Sequence, residues 1–161
     1  MSQTYAHLFG VPQTGLRFFT VYGPWGRPDM AYWLFTKAML DGKPIRVFSN
    51  GEMWRDFTYI DDVVRAVTAV LDRPPVTDIP PSRLYNVGNN RPVRLGDFID
   101  TLERLLRVKA IRQSEDAERD LERTYADMTA LERDFDFRPS VSIEDGLKKF
   151  VDWYRSEWMV R

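Results

Sequence analysis

Two short stretches of the sequence carry the side chains best suited to contact a charged ligand. Thr20, Tyr22 and Arg27 lie in a stretch that runs from an apolar strand into a loop rich in glycine and proline. Ligand sites of α/β proteins commonly lie in such loops, at the carboxyl end of a strand. Arg55 opens the second stretch, and a guanidinium beside a strand end can bind a diphosphate through two parallel hydrogen bonds. A solvent-facing turn at Arg27, and an ion pair between Arg55 and a neighbouring aspartate, remain alternative interpretations.

The elements that must hold these residues are predicted from the spacing of apolar side chains. Apolar runs at Leu16–Val21 and Leu84–Val87 are typical of buried parallel strands, and Pro44–Phe48 predicts a third, short strand. Helical spacing indicates helices near residues 3–9, 31–38, 61–71, 98–106 and 142–158. Strands that alternate with helices predict an α/β fold.

The composition is that of one folded domain. The 161 residues predict a single domain over 1–161, and 43% hydrophobic with 29% charged side chains argues against disorder. A net charge of −1 gives no basic surface for nucleic acid or an anionic membrane. The chain has no cysteine, which excludes disulfides and thiolate metal sites. No apolar run has the length of a membrane span, so we expect a cytoplasmic protein.

The acidic pair Asp61 and Asp62 could be read as a metal site or as an acid–base pair. No histidine or second acidic cluster stands near the pair, and His7 is the single histidine of the chain. Aspartate is also preferred just before a helix, where its carboxylate accepts backbone N–H groups. The sequence therefore favours Asp61 as a helix cap and predicts no metal site.

The same stretches resemble a known family. The runs Leu16–Met30 and Arg55–Asp62 are similar to signatures of the extended short-chain dehydrogenase/reductases, the NAD-dependent epimerase/dehydratase family, and most similar to those of the UDP-glucuronate 4-epimerases. Segments Thr124–Asp127 and Phe137–Tyr154 are similar to the same family. The resemblance implies the C-terminal part of an extended Rossmann-type epimerase. That part is a substrate-binding region with two residual parallel strands and surrounding helices, without the amino-terminal NAD-binding half.

The resemblance also implies roles for the candidate residues. In UDP-glucuronate epimerases, a threonine and an arginine at the places matching Thr20 and Arg27 hold the hexuronate carboxylate. An arginine at the place of Arg55 binds the diphosphate. The segment that ends at Phe48 matches the place that receives the uracil ring, although a short amphipathic strand explains its pattern equally well. Holding the carboxylate has a chemical purpose, because a 4-keto hexuronate loses CO2 readily unless its carboxylate is kept out of alignment for cleavage.

Two further positions are assigned by the resemblance. Tyr22 is assigned to contact with the cofactor. Asp120 is the remaining member of a loop that contacts ribose and phosphate in the family. In this chain the corresponding residues 117–122 lack the glycine and both prolines of that loop.

The chemistry of the family depends on NAD, which oxidises the sugar and then returns hydride to its other face. That chemistry needs a G-x-x-G-x-x-G loop for the dinucleotide and a tyrosine followed four residues later by a lysine. No tyrosine of this sequence has a lysine at that spacing, and Gly23-x-x-Gly26 lacks the third glycine. We therefore expect the chain to bind UDP-hexuronate without turning it over, with NAD bound only in a complete enzyme.

An open strand edge predicts association with another chain. If Leu16–Val21 has a neighbouring strand on one side only, its other edge offers unpaired backbone groups. We expect self-association or a complementing NAD-binding chain. Two alternatives remain for the function: a non-catalytic binding or assembly module, and a fragment of a related UDP-sugar decarboxylase or dehydratase.

Overall fold

A computed structural model describes residues 2–76, 79–115 and 121–159. The helices are α1 (Ser2–Phe9), α2 (Ala31–Leu40), α3 (Ile60–Leu71), α4 (Leu95–Leu106), α5 (Thr129–Phe135) and α6 (Ile143–Trp153), the last continued by a wider turn at Tyr154–Trp158. The strands are β1 (Gln13–Phe18), β2 (Thr20–Tyr22), β3 (Pro44–Phe48), β4 (Trp54–Arg55), β5 (Phe57–Tyr59), β6 (Ser82–Val87), β7 (Val93–Arg94) and β8 (Ile111–Glu115). Within these ranges no helix is both long enough and apolar enough to cross a membrane.

The strands pair two by two, and most pairs are parallel. In the described ranges β1 pairs with β6, β2 with β5 and β3 with β8, all parallel, whereas β4 pairs with β7 antiparallel. The α/β class with parallel strands is thus confirmed. The expectation of two residual parallel strands is too low, because the short strands β2, β3, β5 and β8 also pair in parallel.

The predicted strand Leu16–Val21 is divided in two by a change of partner. β1 follows β6 as far as Phe18, and the N–H of Phe19 donates to the carbonyl of Val87 at 3.0 Å. From Thr20 onward the chain pairs with β5 instead. Thr20 therefore lies where the strand order changes, which is the place where ligands bind in open α/β sheets.

The larger cluster of the core is rich in aromatic side chains and lies between the helices α2, α4 and α6 and the short strands. Phe57 of β5 stacks on Phe98 of α4 with ring centroids 4.3 Å apart. Tyr32 of α2 meets Phe150 of α6 edge to face at 4.8 Å. Offset and edge-to-face pairs of this kind fix the relative orientation of the elements as well as burying area. The helical spacing over 142–158 predicts an apolar stripe, and four of its residues are buried, namely Leu147, Phe150, Val151 and Tyr154, whereas Ile143 is half-buried and Trp158 is exposed.

A buried carboxylate joins three segments of the chain. Asp56 lies between β4 and β5 and is fully buried. Its oxygens accept the backbone N–H groups of Asn89 at 2.8 Å, Asn90 at 3.0 Å and Ala126 at 2.8 Å. The sequence left open an ion pair between Arg55 and a neighbouring aspartate. The carboxylate of Asp56 is instead used by backbone donors, as a buried carboxylate requires.

The expectation that Asp61 caps α3 is wrong. The residue before the first turn is Tyr59, which makes no side-chain cap bond, and both aspartates lie inside the first turn. The Asp61 carboxylate faces the Lys149 ammonium at 3.4 Å. Asp62 is buried and accepts the N–H groups of Ser140 at 3.1 Å and Val141 at 3.0 Å. Asp62 therefore links the loop that leads into α6 to the first turn of α3.

Replacing Asp56 by alanine is expected to lower the free energy of unfolding by about 3 kcal/mol or more, because buried donors lose a charged acceptor. Urea unfolding followed by circular dichroism measures the change. The matched control is Asp61→Asn, an exposed carboxylate whose loss is expected to cost less than about 0.5 kcal/mol. Equal stabilities of the two variants would contradict the role given to Asp56.

Candidate functional site

A cavity of about 530 Å³ opens between α2, β3 and the strands β4 and β5. Its walls are mostly apolar, with Leu34 and Phe35 from α2, Ile45 from β3 and Phe57 from β5. Polar side chains lie at a few places in its lining: Thr20, Asp29, Arg46 and Arg55. An apolar cavity with a few polar groups is the usual form of a small-molecule site.

Three of the predicted site residues line this one cavity. Thr20 is supplied by β2, Phe48 by the end of β3 and Arg55 by β4. These positions are far apart in the sequence, and the chain brings them together through the partner change after β1 and the turn after β3. A hydroxyl, an aromatic ring and a guanidinium thus face a common space.

Arg55 is held along its own strand. Its Nη1 donates to the carbonyl oxygen of Trp54 at 2.9 Å, and its Nη2 lies 4.0 Å from the sulfur of Met53. The strand itself is fixed from outside, because the N–H of Trp54 donates to Glu122 at 2.9 Å and its carbonyl accepts from Thr124 at 3.1 Å. The guanidinium is therefore positioned by a short strand that is bonded on more than one side.

Phe48 owes its position to the alternation of β3. Ile45 and Val47 point into the core, whereas the side chains at Pro44, Arg46 and Phe48 are exposed. The amphipathic strand and the aromatic wall of a cavity were alternatives in the sequence, and β3 has both features. Phe48 as a whole remains 39% exposed and lines the cavity.

Arg27 lies next to this cavity and does not line it. It belongs to a neighbouring cavity of about 720 Å³ on the other side of β2. Its Nε donates to Asp29 at 3.0 Å and its Nη2 to the second Asp29 oxygen at 2.5 Å. These bonds raise the pKa of Arg27 and lower the pKa of the Asp29 carboxyl. The structure thus separates Arg27 from Thr20, with Asp29 between the two cavities.

Tyr22 is buried in the core and also lines the neighbouring cavity of about 720 Å³, and its contact with the cofactor stays a prediction. Its side chain is 1% exposed, packed edge to face on Tyr59 at 5.5 Å, and its hydroxyl donates to the carbonyl of Ser142 at 3.3 Å. Burial raises the pKa of this phenol. Through these contacts Tyr22 joins the loop before α6 to the strands β2 and β5. Asp120, the remaining predicted contact, lies outside the described residues.

Some residues of the cavity were missed by the sequence reasoning. Asp29, Arg46 and Met53 line the cavity beside the predicted residues. Arg46 could have been found, since it alternates with the buried residues of β3 and precedes Phe48 by two. Its Nε lies 3.4 Å from the Glu115 carboxylate of β8. Asp29 and Met53 lie in connecting segments, where periodicity gives no signal for orientation.

The family is shown by a comparison with known proteins. The family model described as "NAD dependent epimerase/dehydratase family" matches residues 1–88, more than half of the chain. The chain belongs to this family. It is 46% identical to protein CapI of Staphylococcus aureus over 96% of this chain and 50% of CapI. It is 44% identical to UDP-glucuronate 4-epimerase 2 of Arabidopsis thaliana, over 96% of this chain and 38% of the plant protein.

Solved structures of the epimerase family have the same fold. The crystal structure of UDP-glucuronic acid 4-epimerase from Bacillus cereus, in complex with UDP-glucuronic acid and NAD, matches 96% of this chain and 49% of that protein. The TM-score is 0.86 at 33% sequence identity. The chain spans about half the length of these bacterial relatives.

The assignment to the carboxyl-terminal half only is wrong. The family model matches residues 1–88 of this chain. The match therefore does not restrict the chain to the carboxyl-terminal half of the family's enzymes. The comparisons support a coarser statement, namely homology to UDP-glucuronate 4-epimerases and to NAD-dependent family members over a partial length.

NAD is a cofactor of enzymes of this family, and two glycines of the loop after β2 can be tested for room to receive a phosphate. A Cβ added to Gly26 would lie 1.6 Å from the Tyr32 hydroxyl, and one added to Gly23 would lie 2.6 Å from Ile60. At both glycines the absent side chain leaves room for side chains of the chain itself.

The strand β8 supports β3, and its attachment to α4 depends on Glu103. Burial by itself raises the pKa of Glu103, but hydrogen bonds from Lys109, Arg112 and the N–H of Ala110 lower it to about 2. A carboxyl whose pKa is lower in the folded state stabilises the fold above its unfolded pKa. That stabilisation is lost as the pH falls from about 4.5 towards 2.

We expect Glu103→Gln to remove this pH dependence. Between pH 5 and pH 2 the unmodified chain should lose about 2 kcal/mol more unfolding free energy than the variant, because the variant lacks the Glu103 carboxyl and shares all the other titrating groups. Urea unfolding at a series of pH values measures both slopes. Lys148→Gln, which removes the exposed ammonium paired with Asp152, serves as control. Parallel curves for the unmodified chain and Glu103→Gln would refute the assignment.

Proposed function

We propose that the cavity lined by Thr20, Phe48 and Arg55 binds a UDP-sugar of the UDP-hexuronate class. The observation that carries the proposal is the convergence of these residues, from separate strands, in one apolar-walled space. The proposal is also supported by homology to UDP-glucuronate 4-epimerases, of which the Bacillus cereus enzyme is in complex with UDP-glucuronic acid and NAD.

Each part of such a ligand has a matching group in the cavity. A uracil ring is flat and apolar on its faces, so the half-exposed ring of Phe48 and the apolar walls accept it. The diphosphate requires a cation with a planar fork, which Arg55 supplies. Thr20 lies at the change of strand order and offers one hydroxyl donor to the sugar.

Binding of a nucleotide sugar by this chain does not by itself imply that the chain turns it over. The expectation that the chain alone binds its ligand without turning it over stays a prediction. A related UDP-sugar decarboxylase or dehydratase would use the same nucleotide contacts. The hexuronate is preferred because Arg27 stands close to the cavity, with its fork already engaged by a carboxylate.

Comparison of ligands tests the proposal. At a concentration of 100 times Kd, UDP-glucuronate should stabilise the fold by about 2.7 kcal/mol, which raises the midpoint of thermal unfolding by roughly 5–10 °C. Arg55→Ala should weaken binding roughly 10- to 100-fold, because a charge-assisted contact is lost.

Calorimetric titration of UDP-glucuronate and of UDP into both proteins measures these effects. The matched control is Arg104→Ala, an exposed arginine of α4 outside the cavity lining, which should bind as the unmodified chain does. Equal weakening by both substitutions, or no binding of either nucleotide, would contradict the proposed site.

A second candidate function, assembly, is favoured by the edge of β1. Among the described strands β1 pairs with β6 alone. Phe18 is 51% exposed and Leu84 is 53% exposed, one on each strand of this pair. The outer face of α3 adds the exposed side chains of Val64, Val67 and Leu71. Apolar side chains beside an open strand edge favour pairing with another strand, and we propose a second copy of the chain.

Light scattering during size-exclusion chromatography is expected to give a mass above that of one 18.9 kDa chain. Phe18→Lys should shift the mass towards the monomer, because a charge at the edge opposes strand pairing. Ile111→Lys replaces an equally exposed apolar side chain on β8 and should leave the mass as it was. A monomeric unmodified chain would refute the proposed assembly. A complementing NAD-binding chain stays a prediction.

A further inference from the structure

The pairing of Arg27 with Asp29 has the geometry of a ligand contact. Nε and Nη2 of the guanidinium face the two carboxylate oxygens of Asp29, at 3.0 and 2.5 Å. Two parallel N–H···O bonds of this kind form the arrangement in which arginine recognises a free carboxylate. The edge of Arg27 that could receive the carboxylate of a sugar acid is therefore engaged by a carboxylate of the chain.

This ion pair lies at the junction of the two cavities. Asp29 lines the cavity with Thr20 and Arg55, whereas Arg27 lines the neighbouring one. Met30, the residue that follows Asp29, lines both cavities. A sugar held in the first cavity by its nucleotide would thus extend towards Asp29 before it could meet Arg27.

The ion pair is also open to exchange. The side chains of Arg27 and Asp29 are 76% and 61% exposed, so water and salt screen their attraction. Asp29 can return to water without leaving a buried charge. A carboxylate carried by a ligand that is already bound through its nucleotide competes at a high effective concentration.

We propose that Asp29 occupies the carboxylate-binding edge of Arg27 and that the carboxylate of a hexuronate replaces it there. Asp29 thereby sets how strongly the site prefers a sugar acid over a neutral sugar. The inference rests on the proposed function and deepens it, because it assigns a specificity role to a residue outside the predicted set. Arg27 can favour a sugar acid over a neutral sugar only when its ion pair with Asp29 is broken.

The test compares the affinities of UDP-glucuronate and UDP-glucose by calorimetric titration. We expect Asp29→Asn to raise the ratio of the two affinities in favour of UDP-glucuronate by three- to tenfold, because the competing charge is gone. Arg27→Gln should bring the ratio close to one. Both positions are exposed, so neither substitution removes a core contact.

The double variant Arg27→Gln with Asp29→Asn separates exchange on Arg27 from simple repulsion by Asp29. The inference requires that Asp29→Asn has no effect on the ratio once Arg27 is absent. A ratio that rises equally in both backgrounds would overturn it, as would a ratio that falls or stays constant in Asp29→Asn alone. If the unmodified chain binds neither nucleotide sugar, the proposed function fails. If the unmodified chain binds both nucleotide sugars and Asp29→Asn leaves the ratio of their affinities unchanged, this inference fails and the proposed function stands.

Discussion

The rest of the structure depends on the buried carboxylate of Asp56. Its bonds to the N–H groups of Asn89, Asn90 and Ala126 join the loop after β6 and the segment before α5 to the junction of β4 and β5. A carboxylate in this buried position is tolerated because three backbone donors surround it. The position of Arg55, one residue earlier, follows from this bonding.

The cavity is a consequence of how short strands are arranged around that junction. The chain leaves β6 after Phe19 and pairs with β5 from Thr20 onward. This change of partner brings Thr20 beside the residues that follow β4. β3 is held by β8 and offers Phe48 from the opposite wall. Assembly of the site therefore needs contacts that are distant in sequence, whereas its apolar walls come from local alternation in β3 and helical spacing in α2.

Local patterns predicted those parts of the fold that depend on local rules. The stripe of α6 and its cap at Ser142, whose hydroxyl accepts from Asp145, were readable because capping and periodicity involve near neighbours. The partner change at Phe19 and the bonding of Asp56 could not be predicted in this way, because both depend on residues distant in the sequence. The donors to Asp56 lie 33 to 70 residues away. Motif resemblance supplied Thr20, Phe48 and Arg55, and it gave no indication that Tyr22 is buried.

The most direct measurement is the perturbation of backbone amide signals in two-dimensional ¹H–¹⁵N NMR spectra during titration with UDP-glucuronate. If the cavity binds the nucleotide sugar, the largest shifts occur at Thr20, Phe48 and Arg55, with smaller ones at the neighbouring wall of α2. The proposed site would be contradicted by shifts that leave these amides unchanged and cluster at a remote surface, such as the loop after α4.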